Sequence, residues 1–189
     1  MFRVHRFNQR KQYTPHCFKT CQQGFTGLEL LSVLTLLGIL IVLVSPGWFS
    51  ILARWQLTDA QGDIYSAIRQ TQVKARNNSI NWQISIRETA MGIVEWSIHP
   101  QAGVPQVWQS LAYSSIDIDV ANTTLDKRSG SYYIRFGHRG QLASRTRTLT
   151  LTSSSNASIK RCIVMSTILG AMRKGEEQQR PSSSGRYCY

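Results

Sequence analysis

The stretch that decides the fold is Gly-Phe-Thr-Gly-Leu-Glu-Leu-Leu at residues 24–31, which places a single carboxylate, Glu29, at the start of an apolar segment. Residues 30–44 carry no charge at all. A run of this kind is typical of a helix that crosses a membrane. An acidic side chain costs about 2.5–3.5 kcal/mol at the centre of a bilayer and less near its surface. The position of Glu29 therefore predicts that its carboxylate has a partner.

Positive charge is concentrated at the two ends of the 189-residue chain, whose formal net charge is +12. Residues 1–24 carry five bases and no acid, residues 54–126 carry five bases and seven acids, and residues 127–189 carry twelve bases and two acids. Basic residues that precede an apolar span are retained on the cytoplasmic side of a membrane. The sequence therefore predicts that the N-terminus is cytoplasmic and that everything after about Trp48 is exported.

The basic segment and the apolar run together resemble a secretory signal. The end of the apolar run, Val-Leu-Val-Ser-Pro at residues 42–46, is a poor match to the small-x-small pattern at which such signals are cut. We therefore expect the apolar run to remain on the mature protein. A plain signal-anchor is the alternative interpretation.

The four cysteines form two pairs on opposite sides of the predicted span. Cys17 and Cys21 lie in the basic segment on the cytoplasmic side, where thiols stay reduced, and we interpret this pair as incidental. Cys162 and Cys188 lie in the exported part, where a disulfide can form. Closing that loop of about 27 residues is worth about 3.5 kcal/mol in the chain-entropy model. The sequence therefore predicts a Cys162–Cys188 bridge that ties down a Ser-rich tail.

A long helix is predicted from Leu28 to about Ala75. Pro46 removes one backbone hydrogen bond, so a kink or a local melt is expected at residues 42–46. Beyond Phe49 one face is predicted to pack on the domain's own sheet, and its members are Leu52, Ala60, Ile64, Ile68, Thr71 and Ala75. The other faces carry Arg54, Gln61, Asp63, Arg69 and Lys74. Residues 77–79, Asn-Asn-Ser, are predicted to end the helix.

Short strands are predicted from residue 80 onward. Alternation of apolar and polar residues predicts strands at 80–86, 94–98, 106–113, 116–120 and 132–136, and a hairpin formed by 148–152 and 159–166. A turn at 91–92 and loops at 99–105 and 137–140 separate them. The fold class is therefore predicted to be α+β, with a long N-terminal transmembrane and amphipathic α-helix packed on a C-terminal antiparallel β-sheet domain.

The N-terminal motif resembles that of the type IV pilin and type II secretion pseudopilin superfamily, which indicates a pilin-like fold. Gly24 matches the residue before the bond that is cleaved, Phe25 the new N-terminus, Glu29 the acid of the signature and Pro46 a helix-weakening proline. Gly27 departs from the pattern, since a branched apolar residue is usual there, and it lowers helix propensity by about 1 kcal/mol relative to Ala.

The resemblance implies a role for each matched residue. Prepilin peptidase would cleave after Gly24, and Phe25 would become N-methylated. Glu29 would pair with the N-terminal amine of a neighbouring subunit, which would offset the burial of its charge in a helix bundle. Removal of the leader leaves seventeen bases and ten acids, a net charge of +7.

The same resemblance implies the organisation and the location of the chain. Residues 1–24 form a basic cleaved leader, residues 25–53 a transmembrane and assembly helix, and residues 54–189 a globular pilin-like domain that is helical to about 77 and then β-rich. The protein would begin as a single-pass protein of the bacterial inner membrane and then enter a periplasmic or cell-surface pilus or pseudopilus. Its expected partners are other pilins or pseudopilins, prepilin peptidase and the inner membrane.

The second half is similar to FimT/GspH-like minor pilins and pseudopilins. Residues 134–140 and 162–173 carry this similarity, because the family often ends in Val-x-Ser followed by Gly-Arg-x-Arg. Gly170 and Arg173 match that ending, and Ala171 replaces its first arginine. The leading hypothesis is therefore a minor pilin or pseudopilin of a type IV pilus or a type II secretion system.

The alternative function is DNA binding during natural transformation, a role that some FimT-like minor pilins have. The candidate phosphate-neutralising residues are Arg161, Arg173, Lys174, Arg180 and Arg186. Tyr187 and Tyr189 could stack on bases. A solvated basic surface, or one that docks on acidic neighbours, explains the same residues without DNA.

Neither catalysis nor a cofactor finds support in the sequence. Of the four histidines only His99 and His138 lie beyond the leader and the apolar run, and each is predicted to lie in a loop beside Pro or Gly. Asp117 and Asp119 would share one exposed strand face, where a metal site is conceivable, but no metal, cofactor or enzymatic activity is predicted. A third hypothesis is an unrelated membrane-anchored β domain.

Overall fold

The computed structural model describes residues 26–183 and 185–188, and for residues 43–46 only the backbone. Contacts within the chain divide it into two compact units that meet between Leu43 and Val44. The predicted cleavage bond between Gly24 and Phe25 and the side chain of Pro46 lie outside the described residues, and the kink expected at 42–46 stays a prediction.

The helix α1 spans Gly27–Asn78 and contributes to both units. It ends where the Asn-Asn-Ser motif predicts, and Ser79 after it adopts a positive φ of 52°. Among the described residues, no single helix is both long and apolar enough to cross a membrane. The segments Gly27–Val42 and Gly47–Asn78 meet that requirement of length and composition only as a broken pair.

In the part of the chain that the structure describes, nine strands follow the helix and form two antiparallel sheets. They are β1 Trp82–Glu88, β2 Val94–Pro100, β3 Gln109–Ser110, β4 Ile116–Ile118, β5 Asp126–Arg128, β6 Ser131–Phe136, β7 Arg147–Ser153, β8 Asn156–Met165 and β9 Met172–Glu176. The first sheet has the order β3-β2-β1-β6-β5, and the second has the order β4-β7-β8-β9. The predicted α+β class is confirmed, and so are the predicted hairpin and the turn around Gly92.

The strands β5 and β9 were not predicted from the sequence, and the strand predicted at 106–113 is longer than β3. All three are edge strands, and each has at least one exposed side. An edge strand needs no apolar alternation and is commonly protected by charges, so its pattern is that of a loop. His99 and Pro100, predicted as loop, belong to β2 because His99 pairs with Gln83 of β1.

The core lies between the second half of α1 and the inner faces of the sheets. The helix contributes Ala53, Leu57, Ala60, Ile64, Ala67, Ile68 and Ala75, all of them buried, and Thr71 is buried on the same face. The sheets contribute Ile84, Ile86, Ile134, Phe136, Leu149, Leu151, Ile163 and Met165. The predicted stripe is therefore confirmed except at Leu52, which is 47% exposed, because the buried row begins at the neighbouring Ala53.

Two buried glutamines hold α1 to the second sheet and its loops. The side-chain amide of Gln61 donates to the carbonyl oxygens of Cys162 and Gly175, at 2.7 and 3.0 Å. That of Gln72 donates to the carbonyl oxygens of Gly140 and Gly170, at 2.8 and 3.2 Å. The prediction that Gln61 lies on an outer face was wrong, because its amide supplies the donors that these carbonyls require in a dry interface.

Candidate functional site

The first turn of α1 is capped by Thr26. The hydroxyl oxygen of Thr26 accepts a hydrogen bond from the backbone N–H of Glu29 at 3.3 Å, and its carbonyl accepts one from Leu30 at 3.1 Å. Thr-x-x-Glu at an N-cap is the sequence of a capping box, a signal that the sequence analysis did not use. Gly27 is then the first helical residue, where its low propensity matters less than in a helix interior.

Glu29 lies in that first turn with an exposed side chain. A carboxylate there interacts favourably with the positive end of the helix dipole. No described residue forms an ion pair or a hydrogen bond with the carboxylate. The charge therefore has local support from the helix, and within the described part of the chain it remains available to another partner.

The surface that follows Glu29 is apolar all round. Every side chain of residues 28–42 is exposed, and the large apolar ones include Leu30, Leu34, Leu37 and Ile41. A contiguous apolar surface of this size marks a site of contact with a membrane or with other proteins. The buried face of the same helix begins only at Ala53.

The predicted disulfide between Cys162 and Cys188 is present, with 6.0 Å between the two Cα atoms. Both cysteines are buried. The bridge joins β8 to the C-terminal tail, which also makes an isolated β-bridge between Glu177 and Cys188. The tail after β9 is therefore fixed to the second sheet.

The five bases predicted to contact DNA do not form one patch. Arg161 and Lys174 line a groove beside α1 together with Arg54, Trp55, Thr58, Asp59 and Gly62. Arg173 precedes Lys174 in β9, so its side chain points to the opposite face of the sheet. Arg186 lines a different concavity with Arg147 and Cys188, and Arg180 lies in the exposed tail.

The groove beside α1 has a volume of about 550 Å³. The Lys174 ammonium lies 5.3 Å from the ring centre of Tyr65, and Arg161 lies 3.4 Å from the carboxylate of Glu176. Trp55 is 74% exposed at the edge of the groove. Surfaces that bind single-stranded nucleic acid combine basic side chains with exposed aromatic rings of this kind.

Asp119 does not lie on the exposed face that was predicted for it. Its carboxylate pairs with Lys160 at 2.8 Å and accepts a hydrogen bond from the Asn122 side chain at 2.7 Å. Burial alone would raise the pKa of Asp119, but the hydrogen bonds from Lys160 and Asn122 outweigh it and lower that pKa. The carboxylate is used to hold β8 against the loop after β4, and it is not free for a metal.

The outer face of the first sheet carries a polar cluster that was not predicted from the sequence. Gln83 donates to the Ser85 hydroxyl at 3.0 Å, and the Ser85 hydroxyl lies 2.9 Å from Nε2 of His99. Nδ1 of His99 lies 2.9 Å from the carbonyl oxygen of Pro100. A carbonyl only accepts, so Nδ1 carries a proton, and in the neutral ring Nε2 accepts from Ser85. His138, by contrast, lies in the loop predicted for it.

Ser85 and His99 are within the distance at which a base activates a nucleophile. Their remaining partners are an amide and a peptide carbonyl, which fix the ring without a carboxylate among the residues described here. These hydrogen bonds link Gln83, Ser85 and His99 into one polar cluster on the sheet surface. Cross-strand pairing could not be read from the sequence, and only the register Gln83↔His99 and Ser85↔Ser97 brings these residues together.

No family model matches the chain, and no curated protein matches it at a significant level. Among solved structures, the chain is similar to two crystal structures of the type IV minor pilin FimU from Pseudomonas aeruginosa. The first match covers 64% of this chain and 88% of the other, at 12% identity and a TM-score of 0.47. The second covers 67% and 94%, at 13% identity and a TM-score of 0.43.

Proposed function

We propose that this chain is a structural subunit, a minor pilin or pseudopilin of the FimT/GspH type, and not an enzyme. It begins as a single-pass protein of the bacterial inner membrane. Prepilin peptidase removes residues 1–24, Phe25 is N-methylated, and the helix then assembles with other pilins or pseudopilins into a type IV pilus or a type II secretion pseudopilus.

One observation carries this proposal. The same helix has a fully exposed apolar half over residues 28–42 and a half that is buried on its own sheets from Ala53 onward. Burial of apolar surface is worth about 25 cal/mol per Å². Any environment that covers the exposed first half of the helix is therefore favoured. A membrane covers it before assembly, and neighbouring helices cover it afterwards.

Glu29 supports assembly more than simple anchoring. Glu29 lies in the exposed, capped first turn of α1, and this position supports its pairing with the amine of a neighbouring subunit. In an apolar bundle an unpaired carboxylate is costly, so pairing with that amine selects one axial register. In a plain signal-anchor the same acid would interact only with the N-terminus of its own helix.

Mass spectrometry of the protein recovered from its own cells tests the processing step. We expect an N-terminus at a methylated Phe25. A matched pair of glycine variants controls the result. We expect Gly24→Asn to block cleavage and Gly27→Ala to leave it intact, because position 27 lies beyond the cleaved bond and an added Cβ there meets no described atom within 4 Å. An N-terminus at any other residue contradicts the proposal.

A second candidate function is DNA binding by the same scaffold in natural transformation. It is favoured by the groove that brings Arg161 and Lys174 together with Arg54 and Trp55. A gel-shift titration over salt tests it. We expect Lys174→Ala to weaken binding and to lower the salt slope by about one.

Arg173→Ala is the matched control in this titration, because Arg173 lies on the opposite face of β9. We expect it to bind as the unchanged protein does. Absence of binding at low salt excludes the function, and equal losses in both variants exclude the groove as its site.

A further inference from the structure

The outer face of the first sheet forms a pocket of about 520 Å³ that none of the functions proposed above uses. In β1 the side chains of Gln83, Ser85 and Arg87 point into it, and the intervening Ile84 and Ile86 are buried in the core. The loop of residues 101–108 closes one side. The volume lies within the range of small-molecule sites, about 300–1,000 Å³.

The pocket is basic at both ends. Arg128 lies opposite Ser131 at one end of β6, and Arg135 lies opposite Gln83 at the other. Ser131 and Arg135 are four residues apart, so the two ends are separated by about 13 Å along the strand. Tyr133 and Ser85 lie opposite each other midway. An elongated ligand with an anionic group at each end fits this distribution of charge.

The charges of the pocket are only partly balanced. Arg87 is neutralised by Glu95, to which its Nη2 lies at 2.8 Å, and its guanidinium stacks on Trp108 at 3.9 Å. Arg128 and Arg135 form no ion pair with any residue that the structure describes. The described lining contains no aspartate or glutamate. Two positive charges therefore remain for a ligand.

Arg135 also holds a donor that has no acceptor. Its Nε is buried and makes no hydrogen bond within the described chain, whereas its Nη2 donates to the Tyr133 hydroxyl at 3.1 Å. A buried donor without an acceptor is costly. Because solvent does not reach this Nε, a ligand in the pocket would meet the terminal nitrogens of the Arg135 guanidinium instead. The floor of Gln83, Ser85 and His99 is already internally hydrogen-bonded and shapes the pocket without binding an anion.

We propose that this pocket binds a small organic bisphosphate, with one phosphate group at the Arg128 end and the other at the Arg135 end. Guanidinium groups are suited to phosphate because they present parallel N–H donors to two of its oxygens. The inference concerns the folded domain alone and does not depend on whether the chain is a pilin.

Isothermal titration calorimetry of the full-length protein in detergent micelles tests the proposal. The probes are fructose 1,6-bisphosphate, fructose 6-phosphate and fructose, which carry two, one and no phosphate groups on the same sugar. We expect the bisphosphate to bind about tenfold or more tightly than the monophosphate, since each charged hydrogen-bonding group contributes at least that factor. Fructose should not bind, and added salt should weaken the bisphosphate.

Arginine variants locate the site. Arg128→Gln and Arg135→Gln should each lower the affinity for the bisphosphate by about tenfold or more, towards that of the monophosphate. Arg173→Gln is the matched control, because it removes an exposed arginine of the other sheet. Thermal unfolding of each variant verifies folding, and Arg128, at the end of an edge strand, keeps the test valid if Arg135→Gln fails to fold.

Four outcomes overturn the proposal. They are no binding of the bisphosphate at millimolar concentration, equal binding of bisphosphate and monophosphate, affinities that neither arginine variant changes, and binding of a ten-nucleotide oligothymidine without binding of the bisphosphate. The last outcome would assign the surface to nucleic acid.

Discussion

Single polar side chains decide how α1 is attached to the rest of the domain. Gln61 and Gln72 are both buried, and each donates to two backbone carbonyls that are distant in sequence. Their chemistry is ordinary for an exposed helix face, which is why periodicity assigned Gln61 there. Only the approach of the second sheet, with carbonyls turned towards the helix, makes them interior residues.

Replacing Gln72 with leucine is expected to destabilise the fold by about 1–3 kcal/mol, because the buried carbonyls of Gly140 and Gly170 lose their donor. Gln70→Leu is the matched control, since Gln70 is an exposed glutamine of the same helix. Urea unfolding of both variants measures the difference. Equal stability of the two variants would show that the hydrogen bonds of Gln72 contribute nothing.

Gly170 is required by both its conformation and its surroundings. Its φ is +82°, and an added Cβ would overlap the amide of Gln72 and lie 2.9 Å from the Gly140 carbonyl oxygen. Gly130 has a φ of +81° with nothing within 4 Å. Gly130→Ala therefore measures the conformational cost alone, about 1–2 kcal/mol. We expect Gly170→Ala to cost more than Gly130→Ala in thermal unfolding, and an equal cost would contradict the crowding.

The carboxylate of Asp119 makes the free energy of unfolding of the domain depend on pH in the acidic range. Because its pKa is lowered in the folded state, its contribution is complete above the unfolded value of about 3.9 and is lost as the pH falls through the folded-state pKa. We expect Asp119→Asn to lower the free energy of unfolding by about 1–3 kcal/mol at pH 7. The difference from the unchanged protein should shrink below about pH 4.

Asp117→Asn provides the comparison for this pH series, since Asp117 is the neighbouring acid in β4 and forms no ion pair with a described residue. Its unfolding curve should follow that of the unchanged protein. An Asp119→Asn deficit that is the same at pH 7 and at pH 3 would mean that the carboxylate charge is not the source of the effect.

At the scale of elements, the central strands could be predicted and the edge strands could not. β1, β2, β6, β7 and β8 have an apolar side that the core requires, so their sequences alternate. β5 and β9 are defined by backbone pairing to one neighbour, which leaves no comparable trace in the sequence. The same reason hid the pocket: it depends on which residues pair across β1, β2 and β6, and register is not visible in any one strand.

The disulfide connects the last predicted strand region to a tail with few core residues. Cys162→Ser together with Cys188→Ser is expected to lower the free energy of unfolding by about 3.5 kcal/mol, because the unfolded chain regains the freedom of a loop of about 27 residues. Replacing Cys17 and Cys21 with serine in the unprocessed chain is the matched control and should leave stability unchanged. A full loss in the control, or none in the double variant, contradicts the structural role of the bridge.

At the scale of the whole molecule, the two halves of α1 differ in the exposure of their apolar side chains. The sequence predicted this division from the change between an unbroken apolar run and a periodic stripe, and the exposed and buried side chains of α1 agree with it. The partners of the exposed half could not be predicted from the same pattern, because the hydrophobic effect is non-directional and does not select one apolar partner over another. Under the proposed function, the charge of Glu29 and a processed N-terminus at Phe25 would select them.

The division of α1 predicts which part of the chain folds without a membrane or a partner. The buried core begins at Ala53, and the second compact unit begins at Val44. A chain that begins at Val44 should therefore stay soluble without detergent, form the Cys162–Cys188 bridge and melt within a few degrees of the full-length protein in detergent. A chain that begins at Ala67 loses Ala53, Leu57, Ala60 and Ile64 from the core and should not fold, since each large-to-small loss in a core costs about 2–5 kcal/mol. Circular dichroism and thiol labelling measure both, and a folded chain from Ala67 would show that residues 53–66 of α1 are not required for the core.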